Sequence, residues 1–416
     1  MEKRRSLRTL RILFLQKRFL YPPDSGGKIR TLNVIRHLAK WHDVKYLCNE
    51  QEADRDWRKQ MCDLGVQLET VPWRETPRYS FLFYCDLAIN LFSRFPYNVN
   101  KDYDARLRQR ADEILILGQT DLVICDFVQM ARNVVGLNAP ASLLFQHNVE
   151  SQIFKRHAWT DKGLLRRSYM WLQWKKMATF EGRAGKWFDR VVAVSNADRD
   201  RFAQTYGWQH VDVIDTSVDV DYFQPSDPCE ESPGEMVFVG SMDWLPNIDG
   251  MIYFCDQIFP LIQHQRPNTT LKIVGRNPTA EIVSLGKRPG IEVTGSVDDT
   301  RPWLRKASLV VVPLRIGGGT RLKIPEALAM KKAVLSTALG AEGLPVVDGQ
   351  HIMIRDAPQA FADQAVQLLA SVESRRSLGE CGWDLVQQRF SSESVARQFE
   401  AICQRAIGEN HRQVQA

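Results

Sequence analysis

No run in the 416-residue sequence approaches the roughly 20 apolar residues that a membrane-spanning helix requires. The nearest candidate, FLFYCDLAINLF at 81–92, is short and carries Asp86, so any contact with a membrane is expected to be peripheral. The eight cysteines (48, 62, 85, 125, 229, 255, 381, 403) are scattered and form no CxxC pair. That distribution suits reduced thiols in a cytoplasm better than a disulfide framework or a zinc site. The basic N-terminus, MEKRRSLRTLRILFLQKRF, has only a short apolar part and no small-residue cleavage site, so it does not read as a secretory signal. No Gly-Lys pair is followed by Ser or Thr, which removes the ATPase P-loop. The dinucleotide fingerprint fails as well, because after Gly319 Arg321 leads into Leu322 where a glycine would be required. A net charge of +6 is too mild for an obligate nucleic-acid binder, and no recognition motif accompanies it. It still permits anionic ligands or an anionic membrane surface.

What is present is an alternation of apolar runs with glycine loops and helical patterns. RILFLQ (11–16), VKYLCN (44–49), TDLVICD (120–126), ASLLFQH (141–147) and RVVAVS (190–195) read as one series of buried strands. A second series holds MVFVG (236–240), TLKIVG (270–275), IEVTG (291–295), LVVVPL (309–314) and AVLST (333–337). Such alternation signals parallel sheets with helices on both faces. A polar stretch rich in Pro and Asp at 217–235 separates the series. The expected organisation is an N-terminal domain over 1–216, a linker over 217–235, a C-terminal domain over 236–390, and a helix in 391–416 that could pack back on the first domain. Val395, Phe399, Ile402 and Ala406 share one face of that helix.

Within the second series, RIGGGTRLKIPEAL (315–328) places three glycines between a strand and a helix start, with Arg315, Arg321 and Lys323 beside them. Backbone amides and a helix N-terminus directed at the end of a strand suit an anion such as phosphate. The plainer reading is that Gly317 to Gly319 only terminate a strand. Gly26 and Gly27 stand in a similar place after the first strand and would let backbone approach a ligand closely.

The motifs YPPDSGGKIRTLNVIRHLA, FQHNVES (145–151), VAVSNAD (192–198), VDVDYF (218–223), FVGSMDWLPNIDG (238–250) and VVVPLRIGGGTRLKIPEALAMKKAVLSTALGAEGL (310–344) occur in this order. Together they resemble the glycosyltransferase family 4 enzymes, and more narrowly the sugar transferases associated with exosortase and exopolysaccharide loci. The resemblance implies an α/β protein of GT-B fold, with two doubly wound Rossmann-like domains facing a central cleft. It implies transfer of a sugar from a nucleotide-sugar to an acceptor hydroxyl, with retention and without a metal or other cofactor. The C-terminal domain would bind the donor and the N-terminal domain the acceptor.

In the same terms Glu326 matches the glutamate that accepts hydrogen bonds from the ribose hydroxyls, a role that suits a carboxylate. Its structural alternative is a first-turn glutamate on the helix dipole. The second family glutamate, eight positions earlier, is replaced by Gly318. The arginine expected after the glycine of FVG is replaced by Ser241 after Gly240, and no basic residue follows in MDWLPNID. Charge for the diphosphate would then come from Arg315, Arg321 or Lys323, with Arg321 slightly favoured, and Gly319 and Thr320 would complete the donor loop. His147, at a strand end, is a candidate to bond a sugar hydroxyl or orient the nucleophile, against the reading that it bonds only to backbone. Asn148 and Glu150 follow on the acceptor side together with Gly26, while Gly27 would face the donor.

Residues 155–190 hold ten Lys or Arg against three acidic residues, interleaved with Trp159, Trp171, Trp174 and Trp187. A membrane-surface contact serving a lipid-linked acceptor and a solvated helix over core tryptophans are equally good readings. The expected location is the cytoplasm or the cytoplasmic face of the membrane, with no nucleic-acid partner. The competing functions are a nucleotide-sugar epimerase of the same fold and a non-catalytic nucleotide-sugar-binding module.

Overall fold

The computed structural model describes residues 8–413 except 24, 78, 161–162, 226–230 and 317–320. It divides into two compact units, Met1–Asp215 with Val395–Ala416, and Thr216–Ser394.

The N-terminal unit is built on seven strands: β1 Arg11–Gln16, β2 Asp43–Glu50, β3 Gln67–Pro72, β4 Leu122–Asp126, β5 Ser142–Phe145, β6 Arg190–Ala193 and β7 Val211–Val213. All are parallel, in the order β3-β2-β1-β4-β5-β6-β7. Helices cover both faces, so alternate residues of one strand enter two different cores. Ile12 and Phe14 of β1 join one core, and Leu13 and Leu15 join the other. The first of these cores also takes Val395, Phe399, Ile402, Cys403 and Ala406 from the helix Ser392–Gln413. Phe399 meets Phe145 edge-on at 5.0 Å, and Glu400 lies 3.1 Å from His42 in the same buried layer.

The C-terminal unit has six parallel strands: β8 Glu235–Val239, β9 Thr270–Val274, β10 Ile291–Gly295, β11 Leu309–Val312, β12 Val334–Ser336 and β13 Met353–Ile354. Their order is β10-β9-β8-β11-β12-β13. Part of the stretch read from sequence as a linker belongs to this unit's core: Val218 is buried in it, and Val220 and Phe223 pack against it.

In each sheet the strand order reverses beside the first strand, between β1 and β4 and between β8 and β11. Adjacent connections there leave in opposite directions and open a crevice beyond the carboxyl ends of the strands. The register Val310↔Val237 brings the chain after Val239 out beside the chain after Val312. The ends of β8 and β9 approach so closely that a Cβ on Gly275 would strike the Gly240 carbonyl.

Candidate nucleotide and acceptor sites

In the C-terminal unit the crevice begins at Gly240, where β8 ends. Ser241 Oγ donates to Asp243 Oδ1 (2.6 Å) and accepts from Arg276 Nε (3.2 Å). Asn247, in the helix Leu245–Tyr253, donates from Nδ2 to the Ser241 carbonyl (2.8 Å) and accepts from Lys323 Nζ at Oδ1 (2.7 Å). The ammonium of Lys323 also lies 4.2 Å from the centre of the Phe238 ring. A Cβ on Gly240 would come within 2.7 Å of Asn247 Nδ2 and 3.0 Å of Lys323 Nζ, so glycine is what lets the ammonium reach this strand end.

Lys323 opens the helix Lys323–Ala329, and Glu326 sits in its first turn. Loss of solvation, with some repulsion from Arg321, brings the Lys323 ammonium down to about 7, opposed by Glu326. Loss of solvation pushes the Glu326 carboxyl up to about 7, opposed by Lys323. Among the described residues no side chain donates a hydrogen bond to that carboxyl.

The other two basic candidates are placed differently. Arg321 has a left-handed backbone (φ 51°) and is buried, with Nη2 3.7 Å from Glu342 Oε2. Arg315 holds Asp249 through Nη2 (2.7 Å) and Nε (3.2 Å) and lies over the Tyr253 ring. Lys323 therefore reaches the Gly240 end, whereas Arg315 is committed to the Leu245–Tyr253 helix. Gly318, Gly319 and Thr320, expected to contact the donor, lie outside the described residues together with Gly317.

In the N-terminal unit the corresponding crevice is closed by a buried polar network. Asp126, the last residue of β4, accepts from His147 Nε2 at Oδ1 (2.6 Å), and at Oδ2 from Thr31 Oγ1 (2.7 Å) and Gln16 Nε2. Arg30 Nη1 lies 3.1 Å from His147 Nδ1. A guanidinium can only donate, so Nδ1 must carry the lone pair and Nε2 the proton. The imidazole is thus neutral with a fixed tautomer. Burial lowers its pKa, opposed by Asp126 and assisted by Arg30. The two rings of Phe127 and Phe145 lie 4.1 Å and 4.2 Å from it. Both ring nitrogens of His147 are engaged by side chains, neither by backbone.

Gly26 and Gly27 open the helix Gly26–Trp41, capped by Ser25. A Cβ on Gly27 would fall 2.5 Å from Phe127 Cζ, while Gly26 faces open space. Asn148 is exposed. Glu150 is buried, and loss of solvation followed by repulsion from Glu181 pushes its carboxyl up to about 7. Glu181 in turn accepts from the amides of Glu150 (2.9 Å) and Ser151 (3.2 Å), serving the start of the helix Glu150–Thr160. A cavity of about 650 Å³ borders the β1 end, with Gln16, Lys28, Trp57 and Phe127 among its walls. Tyr21 and Trp57, stacked with centroids 6.3 Å apart, give it a flat aromatic side.

Arg30, Thr31, Asp126, Asn247 and Arg276 did not stand out in the sequence. The available signal was position: Asp126 closes an apolar strand, and Arg276 directly follows Gly275 at a strand end. Among the described residues no group of three His, Cys, Asp or Glu could hold a metal ion, and no helix is long and apolar enough to cross a membrane.

Residues 233–371 match the family described as Glycosyl transferases group 1. The chain has the GT-B fold and is related to that family. It is 19% identical over 390 residues to an uncharacterized 44.6 kDa protein in the cps region of Klebsiella pneumoniae, covering 90% of this chain and 95% of that protein. Among solved structures it resembles a glycosyltransferase from Rickettsia africae (TM-score 0.62, 15% identity, 96% of this chain and 99% of that one). It also resembles HepE of Anabaena in complex with UDP and glucose (TM-score 0.60, 13% identity, 94% and 98%).

Proposed function

We propose that the chain is a retaining glycosyltransferase that moves a sugar from a nucleotide-sugar donor to an acceptor hydroxyl without a metal. The observation that carries this reading is Lys323 held at Gly240 with Glu326 one turn further on, inside the segment matched by the family. Glycosyl transfer leaves negative charge on the departing diphosphate, and a fixed cation there favours the transition state. Lys323 and Arg276 take that charge beside Gly240 and Ser241. Glu326 accepts from the ribose hydroxyls. Arg315, Gly318, Gly319, Thr320 and Arg321 are assigned to donor binding on the motif resemblance alone.

The N-terminal unit takes the acceptor. His147, neutral and oriented by Asp126 and Arg30, is a positioning residue. Glu150 is held near the pKa at which a carboxyl can exchange a proton at neutral pH. UDP is favoured as the leaving group by the ligand of the Anabaena structure. The acceptor is a polysaccharide or glycolipid precursor of exopolysaccharide synthesis, a reading in keeping with the cps-region name of the Klebsiella protein. The work is assigned to the cytoplasmic side of a membrane, with contact through residues 155–190. There Lys155 lies 5.7 Å and 5.6 Å from the rings of Trp159 and Trp174, and Trp159 and Trp171 are about half exposed.

The test is incubation with UDP-, GDP- and ADP-sugars, with and without saccharide and lipid-linked acceptors, reading nucleoside diphosphate release. Acceptor-dependent release from one donor is expected. Binding of a nucleotide-sugar with no release under any acceptor would favour a non-catalytic module, and isomerisation of the sugar would favour an epimerase.

A further inference from the structure

A second cavity of the N-terminal unit, about 450 Å³, is lined by Arg94, Arg108, Arg132 and Arg183 together with Phe95 and Tyr103. Its walls come from the helices Ala105–Ile116 and Leu164–Gly185, the turn Val128–Asn133, and the segment after the helix Phe81–Asn90. No acidic residue lines it, and among the described residues none of the four guanidiniums makes an ion pair with a carboxylate. Arg110, two positions beyond Arg108, is by contrast bound to both Glu69 and Glu113.

Two of the four arginines are held in place. Arg132 lies 4.2 Å from the centre of the Phe95 ring and 4.0 Å from that of Tyr103, and donates to Asn100 Oδ1 (2.7 Å). Arg108 is fixed by the carbonyls of Arg132 (3.1 Å) and Val135 (3.0 Å). Arg94 and Arg183 are exposed. Burial, reinforced by repulsion from Arg94 and Arg108, holds the Arg132 guanidinium below its usual range. Four like charges converging on one cavity repel unless an anion lies among them, and guanidinium forks match the oxygens of a phosphate.

The chain next to Arg94 indicates which phosphate. Phe81 (82% exposed), Leu82 (65%), Ile89 (69%) and Phe92 (94%) form an apolar surface on the helix Phe81–Asn90 and the turn that follows it. Lys176 ties this segment to the helix Leu164–Gly185 by donating to the carbonyls of Asn90 (2.6 Å) and Leu91 (3.1 Å). On that helix Leu165 and Trp171 are exposed as well. A soluble sugar phosphate needs no such apolar border, whereas a lipid headgroup comes with one. We propose that the four-arginine cavity binds the phosphate of an anionic lipid while the apolar side chains of 81–92 enter the interfacial layer of the bilayer. The proposal rests on the membrane contact suggested above for the source of its phosphate, and on nothing in the nucleotide site.

The full chain is sedimented with vesicles of phosphatidylcholine alone or of phosphatidylcholine mixed with phosphatidylglycerol, with glycerol 3-phosphate as a soluble competitor. At least tenfold stronger partition onto the phosphatidylglycerol vesicles is expected. Arg94→Gln/Arg183→Gln and, separately, Phe81→Ser/Phe92→Ser should each reduce it at least fivefold. These four side chains are exposed, so the thermal midpoint and UDP binding should stay as in the parent chain. If the parent chain binds the anionic vesicles and the arginine variant binds them equally well, the cavity assignment falls while membrane contact survives. If the parent chain binds neither vesicle, both fall. If glycerol 3-phosphate occupies the cavity and the Phe81/Phe92 variant partitions normally, the lipid assignment is overturned in favour of a soluble phosphate ester.

Discussion

At the scale of single residues, the C-terminal site is defined by two groups that burial has moved toward neutrality from opposite sides. Lys323 falls from an ordinary 10.5 to about 7, so above pH 7 the unliganded ammonium is largely deprotonated. A diphosphate needs it charged, so binding above pH 7 should take up a proton. Glu326 rises from 4.5 to about 7, so below pH 7 the carboxyl is largely protonated. Accepting from two ribose hydroxyls needs the carboxylate, so binding below pH 7 should release a proton. Calorimetry of UDP binding in buffers of different ionisation enthalpy should therefore show net uptake at pH 8 and net release at pH 6. The same sign at both would refute the paired roles. Lys323→Ala should weaken UDP at least tenfold, about 1.4 kcal/mol or more, and abolish the uptake at pH 8.

The buried network around His147 makes its own prediction at this scale. Asp126 faces three donors and, after Asp198, is an opposite charge for Arg30, whose guanidinium is brought down to about 10 by burial. Asp126→Asn takes away one of the two opposite charges near the buried guanidinium, Asp198 being the other, and leaves three donors facing an amide in place of a carboxylate. A loss of about 3 kcal/mol is expected in urea denaturation of the N-terminal unit. A change below about 1 kcal/mol would mean that Asp198 balances Arg30 without Asp126.

At the scale of elements, the legible strands were the interior ones and one edge strand, β10, read as IEVTG. β1, β4, β8 and β11 are buried on both faces, and such strands appear in sequence as short, nearly continuous apolar runs. β3, with QLETVP mostly half-exposed, and β7 and β13, of three and two residues, lie at sheet edges and carry no such pattern. The site was legible to the same degree. Glu326 is singled out by the motif resemblance and His147 by its place at a strand end together with that resemblance, both as candidates. Lys323 is one of three basic candidates, but its place at Gly240 was not legible, because it arrives from a helix 76 residues beyond Asn247 in the chain, and no local pattern records a contact made by topology. Glycine at 275 follows from the same packing: its Cβ would meet the Gly240 carbonyl between β8 and β9. Gly275→Ala should cost about 3 kcal/mol by overpacking, and weaken UDP binding more than an equally destabilising change distant from the strand ends. Thermal unfolding and UDP titration of the purified variant measure both effects.

At the scale of the whole molecule, the covalent order of the chain and the order of its cores differ. The last helix follows the C-terminal unit in sequence but supplies Val395, Phe399, Ile402, Cys403 and Ala406 to the core of the N-terminal one. Burial of a Val, Ile or Phe side chain contributes roughly 1.5–3 kcal/mol each, so three of them amount to roughly 5 kcal/mol or more, comparable with the stability of an entire domain. A chain ending at Ser394 should therefore lose the N-terminal unit first, even though nothing before residue 395 has changed. The C-terminal unit keeps its own sheet and its own core, including Val218 and Phe390. It should keep its ligand response too: UDP at 100 times its dissociation constant stabilises the folded form by about 2.7 kcal/mol. Scanning calorimetry of the truncated chain should show one transition lowered or abolished and a second that still rises with UDP. If both transitions disappear together, the two units do not fold independently, and the nucleotide site owes its stability to the same core as the acceptor site.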